Sequence, residues 1–219
     1  NNLIYDNMAG TDGTYSGFGG GLLLSGYAGS IDLVNNTIAD NTAEAVDAQG
    51  PSGNGGGIVV MTETDSWNPL SVTLRNCIVN NNQVTSNGST LENAAGDISN
   101  AIVASGGAAG STLDIDYCNY QALRSQDGAI DPLLGSQNLT APPGFSLEMP
   151  YYLARSSVCV DAGDNNTVHM PATDLDGQPR PQDGDSDGNP VTNMGCYEQV
   201  FADPFPWNLF LPAITSGNE

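Results

Sequence analysis

The sequence predicts an all-β fold, a solenoid of short strands with an irregular C-terminal cap. Three observations indicate this: many glycines and asparagines, apolar residues spaced two apart, and a repeated asparagine-flanked segment. Glycine alone accounts for 27 of the 219 residues. Glycine and asparagine both tolerate the positive φ angles of tight turns and both weaken helices. The composition therefore favours a turn-rich β protein.

The repeated segment fixes the expected organisation of the first half of the chain. It reads NNLIYDN from position 1, NNTIADN from position 35 and NCIVNNN from position 76, and a degraded copy, YCNY, begins at position 117. A segment that returns in one register is typical of stacked coils, in which each coil buries its apolar residues against the next. The asparagines would then stack as two ladders at the bends, namely Asn1, Asn35 and Asn76 in one and Asn7, Asn41 and Asn82 in the other.

Apolar residues before each copy alternate with polar ones, which is the period of a strand. We expect one buried stack of Ile31, Val72 and Leu113, and a second of Leu33, Leu74 and Ile115. Glycine triplets precede two further apolar runs, at 19–21 and 55–57. An antiparallel sandwich with asparagine turns is the alternative fold.

Units of this form resemble the right-handed parallel β-helix repeats of bacterial surface and secreted proteins. The resemblance covers residues 1–125 and implies a right-handed parallel β-helix.

From residue 126 the pattern changes. An ordered series of segments resembles the C-terminal region of bacterial choice-of-anchor Q proteins, and we assign 126–199 to this region and 200–219 to a tail. The segments are AIDPLL from position 129, SSVCVDAGD from 156, TDLDGQPRP from 173 and NMGCYE from 193. The resemblance implies a modular, extracellular protein in which the β-helix acts as a stalk or display platform.

Charge narrows the possible partners. Acidic residues number 25 and basic residues 4, which gives a formal net charge of −21. Such a chain repels nucleic acid, anionic lipid and acidic polysaccharides. No apolar run is long enough for a membrane span. We therefore expect an extracellular or cell-surface protein, with copies of itself, upstream coils of the same polypeptide or surface glycans as partners.

Four cysteines fit an oxidising compartment if they pair. Cys159 and Cys196 both depart from the choice-of-anchor pattern, in segments that the resemblance expects to close on one another, which predicts a disulfide. Cys77 and Cys118 share one register in successive coils. That register permits either a second bridge or two stacked thiols.

An aspartate- and glycine-rich loop, DGDSDGN at 183–189, has the spacing of the first half of an EF-hand calcium loop. We expect structural calcium on Asp183, Asp185, Asp187 and the backbone carbonyl of Asn189. The closing glutamate of that motif is missing. Its substitute would be Glu198, Asp174 or Asp176, and a solvated turn is the alternative.

We predict a non-enzymatic structural, adhesive or assembly-forming protein. The alternative is a carbohydrate-binding or carbohydrate-active β-helix, with Asp114, Asp116 and Asp97 as the candidate carboxylates. The alternation of Asp114 and Asp116 with apolar residues indicates an ordinary outward face. His169 has no evident nucleophilic partner, and Arg180 is interpreted as a structural arginine bridging acidic residues.

The segment at 1–7 already occupies a full repeat, so we expect its strand edge to be covered by upstream residues or by a neighbouring subunit. The aromatic tail around 205–207 would lie along the coils or plug the last one, or else serve in docking.

Overall fold

The computed structural model describes residues 1–10, 17–26, 29–44, 55–62, 69–86, 89–90, 101–106, 110–125, 130 and 132–201. Within these ranges the regular elements are all β-strands, which confirms the all-β class. The strands are β1 (Asn2–Tyr5), β2 (Met8–Ala9), β3 (Leu22–Gly26), β4 (Gly29–Val34), β5 (Asn36–Ala39), β6 (Thr42–Glu44), β7 (Ile58–Thr62), β8 (Leu70–Arg75), β9 (Ile78–Asn80), β10 (Gln83–Ser86), β11 (Ser89–Thr90), β12 (Ala101–Gly106), β13 (Thr112–Asp116), β14 (Asn119–Tyr120), β15 (Ala122–Ser125) and β16 (Leu133–Leu134).

The strands form four sheets of four strands each, which we name A to D. Sheet A has the order β1-β5-β9-β14, sheet B β2-β6-β10-β11, sheet C β3-β7-β12-β15 and sheet D β4-β8-β13-β16. From β3 to β10 the chain visits sheets C, D, A and B in turn, and then repeats that order. Among these strands every pairing is parallel except that of β10 with β11. An antiparallel sandwich is thereby excluded for the described residues.

The registers of sheet D are those that the repeat predicts. Ile31 pairs with Val72, and Val72 pairs with Leu113. Leu33, Leu74 and Ile115 form the second row in the same sheet. The side chains of the β8 and β13 members of both rows are fully buried, because their alternating pattern points them between the sheets.

The predicted ladder of Asn7, Asn41 and Asn82 is present. The Asn7 side-chain amide donates to Asn41 Oδ1 at 2.9 Å, and the Asn41 amide donates to Asn82 Oδ1 at 2.8 Å. The backbone N–H of Asn41 also donates to Asn82 Oδ1. Asn41, in the middle of the ladder, therefore bonds to residues of both neighbouring repeats at once, through Asn82 on one side and through Ile4 and Asn7 on the other.

The second predicted ladder is incomplete. The Asn76 amide donates to Asn35 Oδ1 at 3.4 Å. The Asn1 amide instead donates to the carbonyl oxygen of Thr173, in the C-terminal region. This asparagine row is thus shared between neighbouring repeats and the C-terminal segment that packs beside them.

Residues with positive φ recur at equivalent positions of the coils. Asp6, Asp40 and Asn81 have φ angles of 54°, 57° and 52°. A second row, with φ angles of 53°, 53° and 51°, consists of Asn35, Asn76 and Tyr117. Asparagine and aspartate tolerate this left-handed conformation better than most residues, which explains why the repeat keeps them at its bends.

The glycine triplets let successive coils approach closely. A side chain at Gly20 would place its Cβ 2.4 Å from the carbonyl oxygen of Gly56, and one at Gly56 would place it 2.4 Å from the backbone nitrogen of Gln83. Neither contact is sterically possible, so these positions require glycine.

Residues 132–141 continue the stack, since β16 pairs with β13 and Leu139 bridges to Asn119. The rest of the described C-terminal region differs from the predicted cap, because it lies along the outer side of sheet A. Ile78 of β9 packs there against Leu153, Cys159 and Met194, while its neighbour Val79 belongs to the core between the sheets. Strand β5 is consequently buried on both faces.

One glycine makes this side-on packing possible. Gly195 has a φ of 90°, and a Cβ there would lie 2.7 Å from Thr37 Oγ1 and 2.8 Å from Ile78 Cδ1. Its N–H donates to the carbonyl oxygen of Asn76 at 2.7 Å, and the Cys196 N–H donates to Thr37 Oγ1. The tail predicted at 200–219 lies outside the described residues from 202 onward.

Candidate metal centre

Three carboxylates converge where the aspartate-rich loop meets the SSVCVDAGD segment. One oxygen from each of Asp161, Asp183 and Asp185 lies within 4.8 Å of the other two. The Asp161 side chain is half-buried and that of Asp185 is exposed. An all-oxygen donor set of this kind suits a hard cation such as calcium.

Backbone N–H groups hold the loop in place. Gly184 and Asp185 donate to the two oxygens of Asp161, at 3.1 and 2.9 Å. Asp187 and Gly188 donate to the two oxygens of Asp183, at 3.0 and 2.9 Å. Burial raises the pKa of the Asp161 carboxyl, and the negative charges of Asp185 and Asp183 act in the same direction.

This arrangement brings together only part of the predicted ligand set. Asp183 and Asp185 belong to the cluster, but Asp187 stands outside it and accepts the Asn189 N–H at 2.8 Å. Asp161 takes a place that sequence reasoning did not assign. The sequence did contain an indication of Asp161, because this residue lies in the aspartate–alanine–glycine segment on which the family resemblance was based.

The residues proposed to close the loop have other partners. Asp174 accepts the N–H groups of Asp176 and Gln178 on one oxygen and that of Glu198 on the other. Glu198 forms an ion pair with Arg180, and both side chains are completely inaccessible to solvent. These acidic residues therefore organise the loops rather than joining the carboxylate cluster.

The Arg180 guanidinium has several partners besides Glu198, which agrees with the structural interpretation. Besides Glu198, its guanidinium donates to Thr192 Oγ1 at 3.1 Å and to the Gly195 carbonyl at 3.0 Å. It also reaches Asn1 Oδ1 at 3.3 Å, which ties the C-terminal region to the first coil. Burial raises the pKa of Glu198, and the Arg180 charge opposes that shift.

Two of the carboxylates considered for catalysis, Asp114 and Asp116, lie on the partly exposed face of β13 in sheet D. Asp114 forms an ion pair with Arg75 at 2.6 Å, and His169 lies 3.0 Å from Asp32. Asp116 accepts the N–H groups of Tyr117 and Gln137. The third candidate carboxylate, Asp97, lies outside the described residues.

All four cysteines are buried free thiols in the structure, so the predicted Cys159–Cys196 bridge is not formed in it. Cys77 and Cys118 are two stacked thiols, with the Cys77 N–H 3.4 Å from Cys118 Sγ. Cys159 packs into the apolar layer beside sheet A, and the Cys196 backbone is held by Thr37. Burial raises the pKa of Cys159 to about 12 and that of Cys196 to about 11.

No protein-family model matches the chain, and comparisons with curated proteins and with solved structures found no match. The resemblances to β-helix repeats and to the choice-of-anchor Q region therefore stay predictions. In the described part of the chain, no helix has the length and apolarity needed to cross a membrane.

Proposed function

We propose that the chain is a right-handed parallel β-helix module of an extracellular, non-enzymatic protein with a structural or adhesive role. The observation that carries this proposal is the sheet edge formed by the first strands. Among the described residues, β1, β2, β3 and β4 are each the last strand of their sheet on one side. Strand edges of this kind are templates for further strands.

Apolar side chains at this end support the same conclusion. Leu24 and Ile31 are only half-buried, whereas their parallel partners in the next coil, Val60 and Val72, are fully buried. The first coil thus presents to solvent the apolar row that later coils bury. Covering it removes apolar surface from water at about 25 cal/mol per Å².

We therefore expect this end to receive another coil, from upstream residues of the same polypeptide or from a neighbouring copy. A copy would give a head-to-tail contact that propagates into a filament. The net charge of −21 supports partners that are uncharged or basic, in keeping with an adhesive role at a cell surface.

Light scattering of the 219-residue chain over a concentration series, combined with binding of an apolar dye, tests this assignment. We expect either concentration-dependent association or dye binding by a monomer, and Leu24→Lys should abolish both because it charges the open edge. Leu134→Lys, on exposed β16 at the opposite end, is the matched control. A monomer that binds no dye, with or without residues 200–219, would contradict the proposal.

The same proposal includes structural calcium on Asp161, Asp183 and Asp185. Three carboxylates this close repel one another, and a divalent cation relieves that repulsion. Extracellular calcium modules bind at roughly 0.1–1 mM. Binding to the folded state alone would raise the melting temperature.

Thermal unfolding with millimolar calcium and with chelator measures the effect. Calcium should raise the melting temperature of the unmodified chain, and Asp161→Asn should remove that response. Asp187→Asn is the control, because the loop spacing alone predicts Asp187 as a ligand whereas the structure leaves it outside the cluster. This variant should keep the calcium response. An unchanged calcium response in Asp161→Asn would exclude that residue as a ligand.

A further inference from the structure

A cavity of about 370 Å³ opens on the C-terminal region, and its lining does not include Asp161, Asp183 or Asp185. Tyr152 forms one wall, and its ring stacks on that of Tyr197 with centroids 3.9 Å apart and planes 8° apart. The Tyr152 hydroxyl donates to Asp176, which also lines the cavity. The stack and the hydroxyl contact hold this aromatic wall in one orientation.

Side-chain amide groups also line the cavity. Gln178 and Gln182 line the cavity, and each side-chain amide offers two donors and one acceptor oxygen. Glu198 also lines it, but its side chain is inaccessible to solvent and its Oε1 already accepts from Arg180, Thr192 and Asn193.

The cavity lining contains no lysine or arginine, and Arg180 behind it is already engaged with Glu198 and the Gly195 carbonyl. An anionic ligand would therefore meet carboxylates without a compensating cation. The matching ligand is uncharged and rich in hydroxyl donors, with an apolar face for the tyrosine ring.

Pyranose sugars have this combination, since their hydroxyls donate and accept around the rim while their C–H groups form an apolar face. The cavity volume falls within the usual range for small-molecule sites. A cation alone would use the oxygens but would leave the aromatic wall without a role.

We propose that this cavity binds an uncharged pyranose, with Tyr152 packing against the ring and with Gln178 and Gln182 bonding its hydroxyls. The inference names a ligand class for the adhesive role and rests on the proposed function. It uses residues distant in sequence from the open edge, so the two proposals can fail separately.

Saturation-transfer NMR and calorimetry with uncharged monosaccharides and their oligosaccharides test the cavity, using the whole chain. We expect at least one uncharged pyranose to bind. Gln178→Ala and Gln182→Ala should each weaken it about tenfold, the value of one lost hydrogen bond. Gln137→Ala, at an exposed glutamine of another surface, is the control and should bind as the unmodified chain does.

If an oligosaccharide binds more tightly than its monosaccharide, the natural ligand is a sugar within a glycan chain. If the two bind equally, the ligand is a free sugar. Absence of binding across the panel would overturn the proposal. Equal affinity in Gln178→Ala, Gln182→Ala and the unmodified chain would also overturn it. So would binding of Ca²⁺ in the cavity that leaves the affinity for sugar unchanged, because the sugar would then bind elsewhere. Circular dichroism of each variant verifies that it is folded.

Discussion

Two buried cysteines mark the packing of the C-terminal region against sheet A. Cys159 and Cys196 are fully buried, yet each lies in the layer between sheet A and the C-terminal region rather than between the sheets. The two thiols are therefore shielded from solvent only while the C-terminal region is packed against sheet A. An ordinary cysteine has a pKa near 8.5, and both are well above it here.

The raised thiol pKa values predict that stability falls in mild alkali. Above about pH 8.5 the unfolded thiols lose protons while the folded ones keep them, so the unfolded state binds fewer protons and the free energy of unfolding decreases with pH. Between pH 7 and 9.5 the loss is about 1 kcal/mol for each thiol. Urea unfolding at the two pH values measures it.

Cys159→Ala combined with Cys196→Ala is the control, because this variant lacks both thiols and should lose less stability over the same interval. The native thiols should also resist alkylation until the chain unfolds, since the thiolate is the reactive form. A Cys159–Cys196 disulfide would abolish the pH effect and would appear as two missing alkylation sites in denatured, unreduced protein.

At the scale of single elements, the asparagine ladder links strands that are distant in sequence. Asn41 is fully buried and bonds to Asn82 Oδ1, to the Ile4 carbonyl and, as acceptor, to Asn7. Asn7 occupies the same register at the exposed end of the ladder. The two positions carry the same residue in the same turn and differ in solvent access.

We expect Asn41→Ala to destabilise the protein substantially more than Asn7→Ala. The first change leaves several buried polar groups without partners, at about 1–3 kcal/mol for each. Water can replace the lost partners at Asn7. Denaturant unfolding of both variants gives the comparison, and equal losses would mean that the ladder contributes no more inside the stack than at its end.

At the scale of the whole molecule, strand β9 joins two apolar layers. Val79 faces the core between the sheets, and Ile78 faces the C-terminal region. The irregular half of the chain therefore depends on the regular half for one of its walls. Detaching it would expose Ile78 and the outer side of β5.

Alanine substitutions on the two faces of β9 should have different consequences. Ile78→Ala should loosen the C-terminal region and raise hydrogen exchange at residues 157–163, with a loss of about 2–4 kcal/mol from the lost methylenes and the cavity left behind. Val79→Ala should instead raise exchange in the strands that pack around it. Identical exchange patterns in the two variants would contradict the assignment of the two faces.

Local patterns were sufficient to predict the strand class, the registers of sheet D and one asparagine ladder. Apolar residues two apart and asparagines in a fixed register are local consequences of strand pleat and turn conformation, so they can be read directly from the chain. The positive φ angles at Asp6, Asp40 and Asn81 are the physical reason that the repeat is visible at all.

Only the tertiary structure decided where the C-terminal region lies and which carboxylates meet. Asp161 joins Asp183 and Asp185 because the packing of residues 143–200 along sheet A brings two loops together, and no spacing in the sequence encodes that approach. The cavity beside Tyr152 has the same origin, since its walls come from segments around 152, 176–182 and 198–200. Loop positions depend on long-range packing rather than on local conformation, which is why the sequence determined the strands and the fold determined the sites.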